Sequence, residues 1–311
     1  MALTDKLTNI ADAIRTQTDT TDKMTLDEMP EKISKLGDVS SYFNTTISNE
    51  TYPDAKMTIL KLPAINIACK KSNESTEIQI VSSFFSGFSA LKKVSNIELT
   101  DYNYDYISAY RLFYSCNNLN DFTEILPFLD KYKLCNCQYM FGNCISIQEV
   151  QFNEALKHIK LIYKPTIMSN SLKLEDFLSS NQYITKIDIP FDTSEVTSIR
   201  EMFTSCSKLK NISAFDCSSV TDIQSVFQSC PVETFGGFIN LGKNLKSLKY
   251  FYPNLPSTLS HASLLNILNG LYDISNTDAV NSLFDLGDTL LAKLSDEEKK
   301  IATDKGWKLQ R

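Results

Sequence analysis

The stretch MFTSCSKLKNI, residues 202–212, decides how this chain folds, because variants of it recur along the middle of the sequence. Its apolar positions are Met202, Phe203, Cys206, Leu209 and Ile212, with polar residues between them. Five further copies carry the pattern, and the last breaks off at Pro231. They are Phe84, Phe85, Phe88, Leu91, Val94; Leu112, Phe113, Cys116, Leu119, Phe122; Met140, Phe141, Cys144, Ile147, Val150; Phe177, Leu178, Asn181, Ile184, Ile187; and Val226, Phe227, Cys230.

The copies recur at steps of 24 to 37 residues, measured between their second apolar positions. A period in the twenties with Leu at fixed offsets and Cys or Asn at one site is typical of leucine-rich repeats. One such unit cannot bury its apolar face alone, so units stack and each apolar position becomes a ladder. The pattern therefore predicts one buried ladder of Phe85, Phe113, Phe141, Phe203 and Phe227. The Cys or Asn position should hold a small buried side chain that bonds to backbone, between a helical half-repeat and a strand.

Residues 194–230 resemble the BspA-like leucine-rich repeats of bacterial surface proteins and prophage genes. The links Ser194–Thr197 and Ser218–Thr221 share the form Ser-x-Val-Thr and lie 24 residues apart, in step with the Phe positions. The resemblance implies a helix ending at Met202–Phe203, then a turn through Cys206 into a short strand. It covers residues 84–238 and indicates a fold, whereas repeat scaffolds carry varied binding surfaces.

The first 36 residues look like a separate helical attachment module. Apolar residues in LTNIADAIR, residues 7–15, fall at helical spacing, and Pro30 interrupts or opens a second short helix. Together with MTLDEMPEKI, residues 24–33, this segment resembles the start of tail-associated proteins from phages and prophages. The alternative is an amphipathic hairpin packed on its own chain. Residues 37–83 alternate apolar and polar positions in two runs, which predicts a β-rich N-terminal cap.

The repeats, residues 84–238, are interrupted once and are followed by a mixed α/β cap, residues 239–311. The interruption, residues 153–171, either protrudes or completes an irregular coil. In the cap, Ser260 should begin one helix, Ser295 and Glu298 should form a capping box for another, and Gly306 should stop it. SLFDLG and the segment after Trp307 predict strands. This region resembles the terminal cap of prophage leucine-rich-repeat proteins, whose physical role is to cover the open end of the stack.

Composition excludes several classes of protein. The net charge of −6 and a pI near 5.1, with no stripe of Lys and Arg, argue against a general nucleic-acid binder. The start has no secretion-signal pattern, and no stretch has about 18 uninterrupted apolar residues, so neither secretion nor membrane insertion is expected. Four of the eight cysteines belong to the repeat and should be reduced. Cys135-Asn136-Cys137 is the closest approach to a metal half-site, but it lacks a partner pair, so structural thiols are expected.

No pattern of catalytic residues is visible. His158 and His261 accompany neither a nucleophile nor a metal-ligand pattern, and no glycine-rich phosphate loop occurs. We therefore expect no enzyme, no cofactor and no metal. The run at residues 101–106 offers weak binding candidates, Tyr102, Tyr104 and Tyr106, which could stack on a sugar or dock a protein. The alternative is a tyrosine-rich loop packed over the edge of the repeats.

These observations predict an α/β leucine-rich-repeat solenoid of about six irregular coils of 24–37 residues, with the end modules described above. The resemblances imply a virion-associated structural or binding protein of a phage or prophage particle, at the tail or baseplate and present in the host cytoplasm during assembly. Its partners would be other virion structural proteins and a host cell-surface protein or glycan; a homo-oligomer stays open. The alternatives are a capsid-surface decoration protein and a bacterial surface adhesin, which would need a secretion signal and a wall anchor.

Overall fold

The computed structural model describes residues 65–68, 83, 85–89, 91, 94, 97–100, 106–163, 172–244, 250–279 and 282–310. The strands there are β1 (Ile65–Ala68), β2 (Ile97–Thr100), β3 (Tyr106–Ser108), β4 (Lys133–Asn136), β5 (Leu172–Lys173), β6 (Lys186–Ile187), β7 (Val196–Ser198), β8 (Asn211–Ile212), β9 (Phe215–Asp216), β10 (Thr234–Phe235), β11 (Phe238–Ile239), β12 (Tyr250–Phe251), β13 (Leu283–Asp285) and β14 (Lys308–Gln310). The α-helices are α1 (Leu126–Lys131), α2 (Glu149–Leu156), α3 (His261–Gly270), α4 (Gly287–Leu291) and α5 (Asp296–Thr303).

The strands pair in parallel, and most pairs join consecutive repeats. The longest repeat ladder, β6–β8–β10, aligns Ile187 with Ile212 and Ile212 with Phe235. Parallel neighbours need a crossover between them, and here the rest of each repeat supplies it. The chain therefore advances by one strand with each repeat. The other pairs are β1–β2, β3–β4, β5–β7, β9–β11 and β12–β13–β14.

A tight turn at the two apolar residues is the most constant feature of the repeat. The N–H of the second apolar residue donates to the carbonyl of the first apolar residue in the next copy, as from Phe203 to Val226 at 3.1 Å. The same bond joins Phe85 to Leu112, Phe113 to Met140, Phe141 to Phe177 and Leu178 to Met202, and Phe227 N donates in the same way to Pro253 O, which lies beyond the last copy. Six successive turns therefore lie side by side, held by backbone hydrogen bonds.

The expectation of a helix ending at Met202–Phe203 is wrong, because this segment is a turn with left-handed residues on both sides. Glu201 has φ +55° and Ser205 has φ +61°. Left-handed backbone costs a residue with a Cβ about 1–2 kcal/mol and cannot continue an α-helix. The bonds to the neighbouring turn offset that cost. Equivalent residues in the other copies are Ser83, Gly87, Arg111, Ser115, Tyr139, Asn143, Asp176, Ser180, Ser225 and Ser229.

The predicted burial of the phenylalanine positions is confirmed. Phe85, Phe113, Phe141, Phe203 and Phe227 are each at most 2% exposed. Phe85, Phe113 and Phe141 stack in sequence with ring centroids 5.4 and 5.6 Å apart, and Phe203 stacks on Phe227 at 6.0 Å. The rings occupy two stacked runs, since the intervening copy has Leu178 at this position.

The Cys or Asn position also behaves as its chemistry predicts. Each side chain is buried and donates to the carbonyl of the second apolar residue in the preceding copy. Cys206 Sγ lies 3.1 Å from Leu178 O, and Asn181 Nδ2 lies 3.2 Å from Phe141 O. The first described copy has Phe88 here, so it cannot make this bond. The other bonds run from Cys116 to Phe85, Cys144 to Phe113 and Cys230 to Phe203.

Two expectations about individual copies are wrong. Val150 is 82% exposed, because α2 replaces the strand there and Phe152 turns inward instead, with no exposed surface. The last copy does not break off at Pro231. Val232 and Phe235 are buried beyond the proline, and β10 keeps its pairing with β8. The described part of the interruption completes the stack, because Leu161 bridges to Leu134 in parallel.

The predicted elements of the C-terminal region are confirmed. The Ser260 side chain accepts from Ser263 N and begins α3, and Ser295 with Glu298 forms the capping box of α5. Gly306 follows α5 with φ +87°. Helix α3 packs against β10 and β11, and so covers the last repeat strands. The N-terminal module at residues 1–36, most of the β-rich cap, Phe84 and Cys69 lie outside the described residues.

Candidate functional site

A polar cleft of about 500 Å³ crosses three consecutive repeats. Its walls are carboxylates, hydroxyls, one amine, one amide and one phenol. This mixture differs from the aliphatic and aromatic core beneath it, so the cleft can hold a polar ligand. The lining residues are Tyr163, Lys173, Glu175, Glu195, Thr197, Ser198, Ser219, Thr221, Asp222 and Asn244.

The repeat itself places these side chains together. Lys173 on β5 pairs with Ser198 on β7, and Ser198 bridges in parallel to Asp222. These three residues therefore hold the same position in three successive repeats. Parallel neighbours lie about 4.8 Å apart, so equivalent side chains form a closely spaced row across the cleft.

Two threonines in the cleft are tied to the backbone. Thr197 Oγ1 donates to Leu172 O at 3.0 Å, and Thr221 Oγ1 donates to Thr197 O at 3.2 Å. Because each hydroxyl has already given its proton to a carbonyl, its oxygen is left as an acceptor. The threonines thus offer a ligand two fixed acceptors, one repeat apart.

The carboxylates give the cleft an excess of negative charge. Lys173 Nζ lies 3.3 Å from Glu175 Oε1, and that pair is locally neutral. Glu195 Oε2 accepts from Tyr163 N at 3.3 Å, and Asp222 Oδ1 accepts from Gln224 N at 2.9 Å. Among the described residues neither of these two carboxylates forms an ion pair. Since ionised carboxylates only accept hydrogen bonds, the cleft favours ligands rich in O–H or N–H donors.

Of the three tyrosines expected to bind a partner, the structure describes Tyr106, which does not line this cleft. Tyr106 is only 9% exposed and packs against Cys135, as expected of a tyrosine packed over the edge of the repeats, so binding by its side chain stays a prediction. Its place on β3 turns the side chain towards the protein. Tyr102 and Tyr104 lie outside the described residues.

The sequence did contain a signal for the cleft. Thr197 and Thr221 are the last residues of the two Ser-x-Val-Thr links, which repeat in step with the phenylalanine ladder. In the sequence they served only to support the resemblance to the leucine-rich repeats. Polar residues that recur at the same position of successive parallel strands also form a row on the surface, and this row was not predicted from the sequence. Glu195 and Asp222 had no such repeating signal.

Two of the buried thiols, Cys137 and Cys144, are poorly suited to nucleophilic chemistry. Burial raises the pKa of Cys144 to about 12, and it raises the pKa of Cys137 well above its usual range. A thiol that stays protonated is a weak nucleophile and a weak metal ligand. Within the described ranges no three His, Cys, Asp or Glu side chains gather as metal ligands, and no helix is long and apolar enough to cross a membrane.

Comparison with known proteins agrees with the repeat. A family model described as "Mycoplasma protein of unknown function, DUF285" matches residues 135–241 and 166–296, which together span just over half of the chain. The chain belongs to the DUF285 family. DUF285 is part of the BspA-like leucine-rich-repeat surface proteins, as the links at residues 194–197 and 218–221 indicated. The DUF285 matches include every residue that lines the cleft. No curated protein and no solved structure matches the chain significantly.

Proposed function

We propose that this protein is a non-catalytic recognition protein: a leucine-rich-repeat solenoid that binds a host cell-surface protein or glycan in the cleft. The observation that carries the proposal is that three consecutive repeats contribute side chains at equivalent positions to one open polar surface. A stacked scaffold holds such a row rigidly, so little side-chain entropy is lost when a ligand binds. Repeat scaffolds commonly present binding surfaces in this way.

We further propose that the protein is carried on a phage or prophage particle, at the tail or baseplate. This part rests on the resemblance of residues 7–15 and 24–33 to tail-associated proteins. Residues 1–36 would then attach to other virion proteins while the repeats face the host. A capsid-surface decoration protein would use the same plan. Localising the protein in purified particles by immunogold labelling separates the two sites.

The second candidate is a bacterial surface adhesin. Membership of a family of leucine-rich-repeat surface proteins favours it. The cleft would serve the same recognition role, and only the carrier would differ. Cell fractionation of a producing strain tests this candidate: protein on intact cells in the absence of particles would favour the adhesin.

Binding of the full-length protein to host cells tests the role of the cleft. Glu195→Gln and Asp222→Asn remove its unpaired charges, yet each new side chain keeps an oxygen that can accept the backbone N–H of Tyr163 or Gln224. We expect the double variant to bind at least about tenfold more weakly, because hydrogen bonds to charged groups are worth about 1.5–3 kcal/mol each.

The matched control is Glu233→Gln, which removes an exposed carboxylate paired with Lys210 outside the cleft. It should bind like the natural protein. Equal binding by the cleft variant and this control would show that the ligand site lies elsewhere.

A further inference from the structure

A cluster of three tyrosines around one arginine lies outside the cleft, on the edge formed by the tight turns. The guanidinium carbon of Arg111 lies 4.8 Å from the ring centroid of Tyr139 and 5.2 Å from those of Tyr110 and Tyr114. The Tyr139 ring meets the other two edge-to-face, at 6.1 and 5.7 Å. All four side chains are partly exposed. The cluster is therefore a preformed aromatic and cationic surface.

The backbone fixes this arrangement. Arg111 and Tyr139 occupy the left-handed position of two successive turns, with φ +52° and +57°. Arg111 N donates to Gln138 O at 2.9 Å, which holds the two turns together. Tyr139 N in turn donates to Glu175 O of the following repeat at 2.9 Å, which fixes the Tyr139 turn on its other side. The arginine is therefore positioned by three repeats before any partner arrives.

The guanidinium has unused hydrogen-bonding capacity. Among the described residues Arg111 forms no ion pair, and its buried Nε has no hydrogen-bond partner. Contact with aromatic rings uses none of the guanidinium N–H groups as classical hydrogen-bond donors, so exposed N–H groups are left to bind a carboxylate with two parallel bonds. Arg200, near the same edge three repeats later, instead pairs with Glu201 at 3.0 Å.

We infer that Arg111 with Tyr110, Tyr114 and Tyr139 is a docking site for an acidic side chain of a protein partner. Tyrosine and arginine are the residues that most often dominate protein–protein binding energy, and their loss of freedom on binding is small when they are already packed. Arg111 is the charged group of the cluster and has no counter-ion in the part of the chain that the structure describes, so a carboxylate of the partner would supply one. The site is distinct from the cleft and does not depend on what the cleft binds.

The test measures binding of a fluorescein-labelled hexaglutamate peptide to the full-length protein by fluorescence anisotropy, with hexaglutamine as the neutral probe. The protein carries a net charge of −6, so general electrostatics oppose the acidic peptide. We expect hexaglutamate to bind more tightly than hexaglutamine, and Arg111→Gln to weaken it by about tenfold or more, as for loss of a charge-assisted hydrogen bond.

Arg200→Gln is the matched control, since it changes the net charge by the same amount but leaves the cluster intact. Arg111→Lys keeps the charge and loses the planar fork, so it should also weaken binding. Thermal unfolding of each variant checks the fold. Absence of hexaglutamate binding, equal effects of Arg111→Gln and Arg200→Gln, or displacement of the peptide by equimolar inorganic phosphate would each overturn the assignment.

Discussion

Replacing Phe203 with alanine should cost about 3–5 kcal/mol of unfolding free energy, the usual penalty for deleting a core aromatic side chain. The ring has no exposed surface and stacks on Phe227 with 5° between the ring planes. Burial of the side chain contributes about 1.5–3 kcal/mol, and an aromatic pair adds about 0.5–1.5 kcal/mol. The cavity left between two repeats supplies the rest, because each repeat is held in place by its neighbours.

Urea unfolding followed by circular dichroism measures this change, with Val150→Ala as the matched control. Both substitutions shorten an apolar residue of the repeat pattern, but Val150 is exposed, so its loss should stay within about 0.5 kcal/mol. Phe203→Leu should cost less than Phe203→Ala because it leaves a smaller cavity. If Phe203→Ala costs under about 1 kcal/mol, or no more than Val150→Ala, the role assigned to the stacked rings is wrong.

Three further predictions concern other parts of the chain. Burial raises the pKa of Glu149, but hydrogen bonds from Thr185 and from Lys186 N outweigh it, so the pKa is lowered overall. The stability that this carboxylate contributes should be complete above the unfolded carboxyl's pKa of about 4.3, and it should be lost as the pH falls through the pKa of the folded state. Glu149→Gln should flatten this acid dependence in urea titrations, and an unchanged profile would contradict it. The thiols of protein made in the cytoplasm should be reduced, so non-reducing mass spectrometry should find no link between Cys116 and Cys144 or between Cys206 and Cys230. A chain beginning at Asp38 should unfold at nearly the same temperature as the full chain yet fail to enter particles, and normal incorporation would contradict the attachment role of residues 1–36.

The apolar ladders could be predicted from the sequence because burial restricts their residue types. Phe203 and Cys206 recur in type as well as in spacing, so the pattern survives insertions between copies. The left-handed residue before each apolar pair could not be found in this way, because its position holds serine, arginine, tyrosine, aspartate or glutamate and only the backbone conformation is shared. The left-handed residue after each pair is glycine, serine or asparagine, a recurrence that the apolar pattern did not use. The turn was therefore mistaken for a helix.

The binding surfaces were harder to predict for a related reason. Glu195 and Asp222 line one cleft only because strands β5 and β7 and residue 222 lie side by side, which is set by the pairing between repeats. Arg111 and Tyr139 each directly precede an apolar pair and are one repeat step of 28 residues apart, but they differ in type, so no signal in the sequence indicates that this position carries a binding surface. By contrast, the capping box at Ser295 was readable because it needs only two residues three positions apart.

The hydrogen bond between successive turns has a consequence for how the molecule can vary. Its donor and acceptor are 23 residues apart at Phe203 and 36 at Phe141, yet its length stays within 3.0–3.1 Å. Repeats of different length therefore keep the same spacing at the turns, and the extra residues lie in the part of each repeat away from the turns. New segments could therefore be inserted away from the turns without disturbing the hydrogen bonds between them. The length of a repeat and the stacking of the turns can change independently.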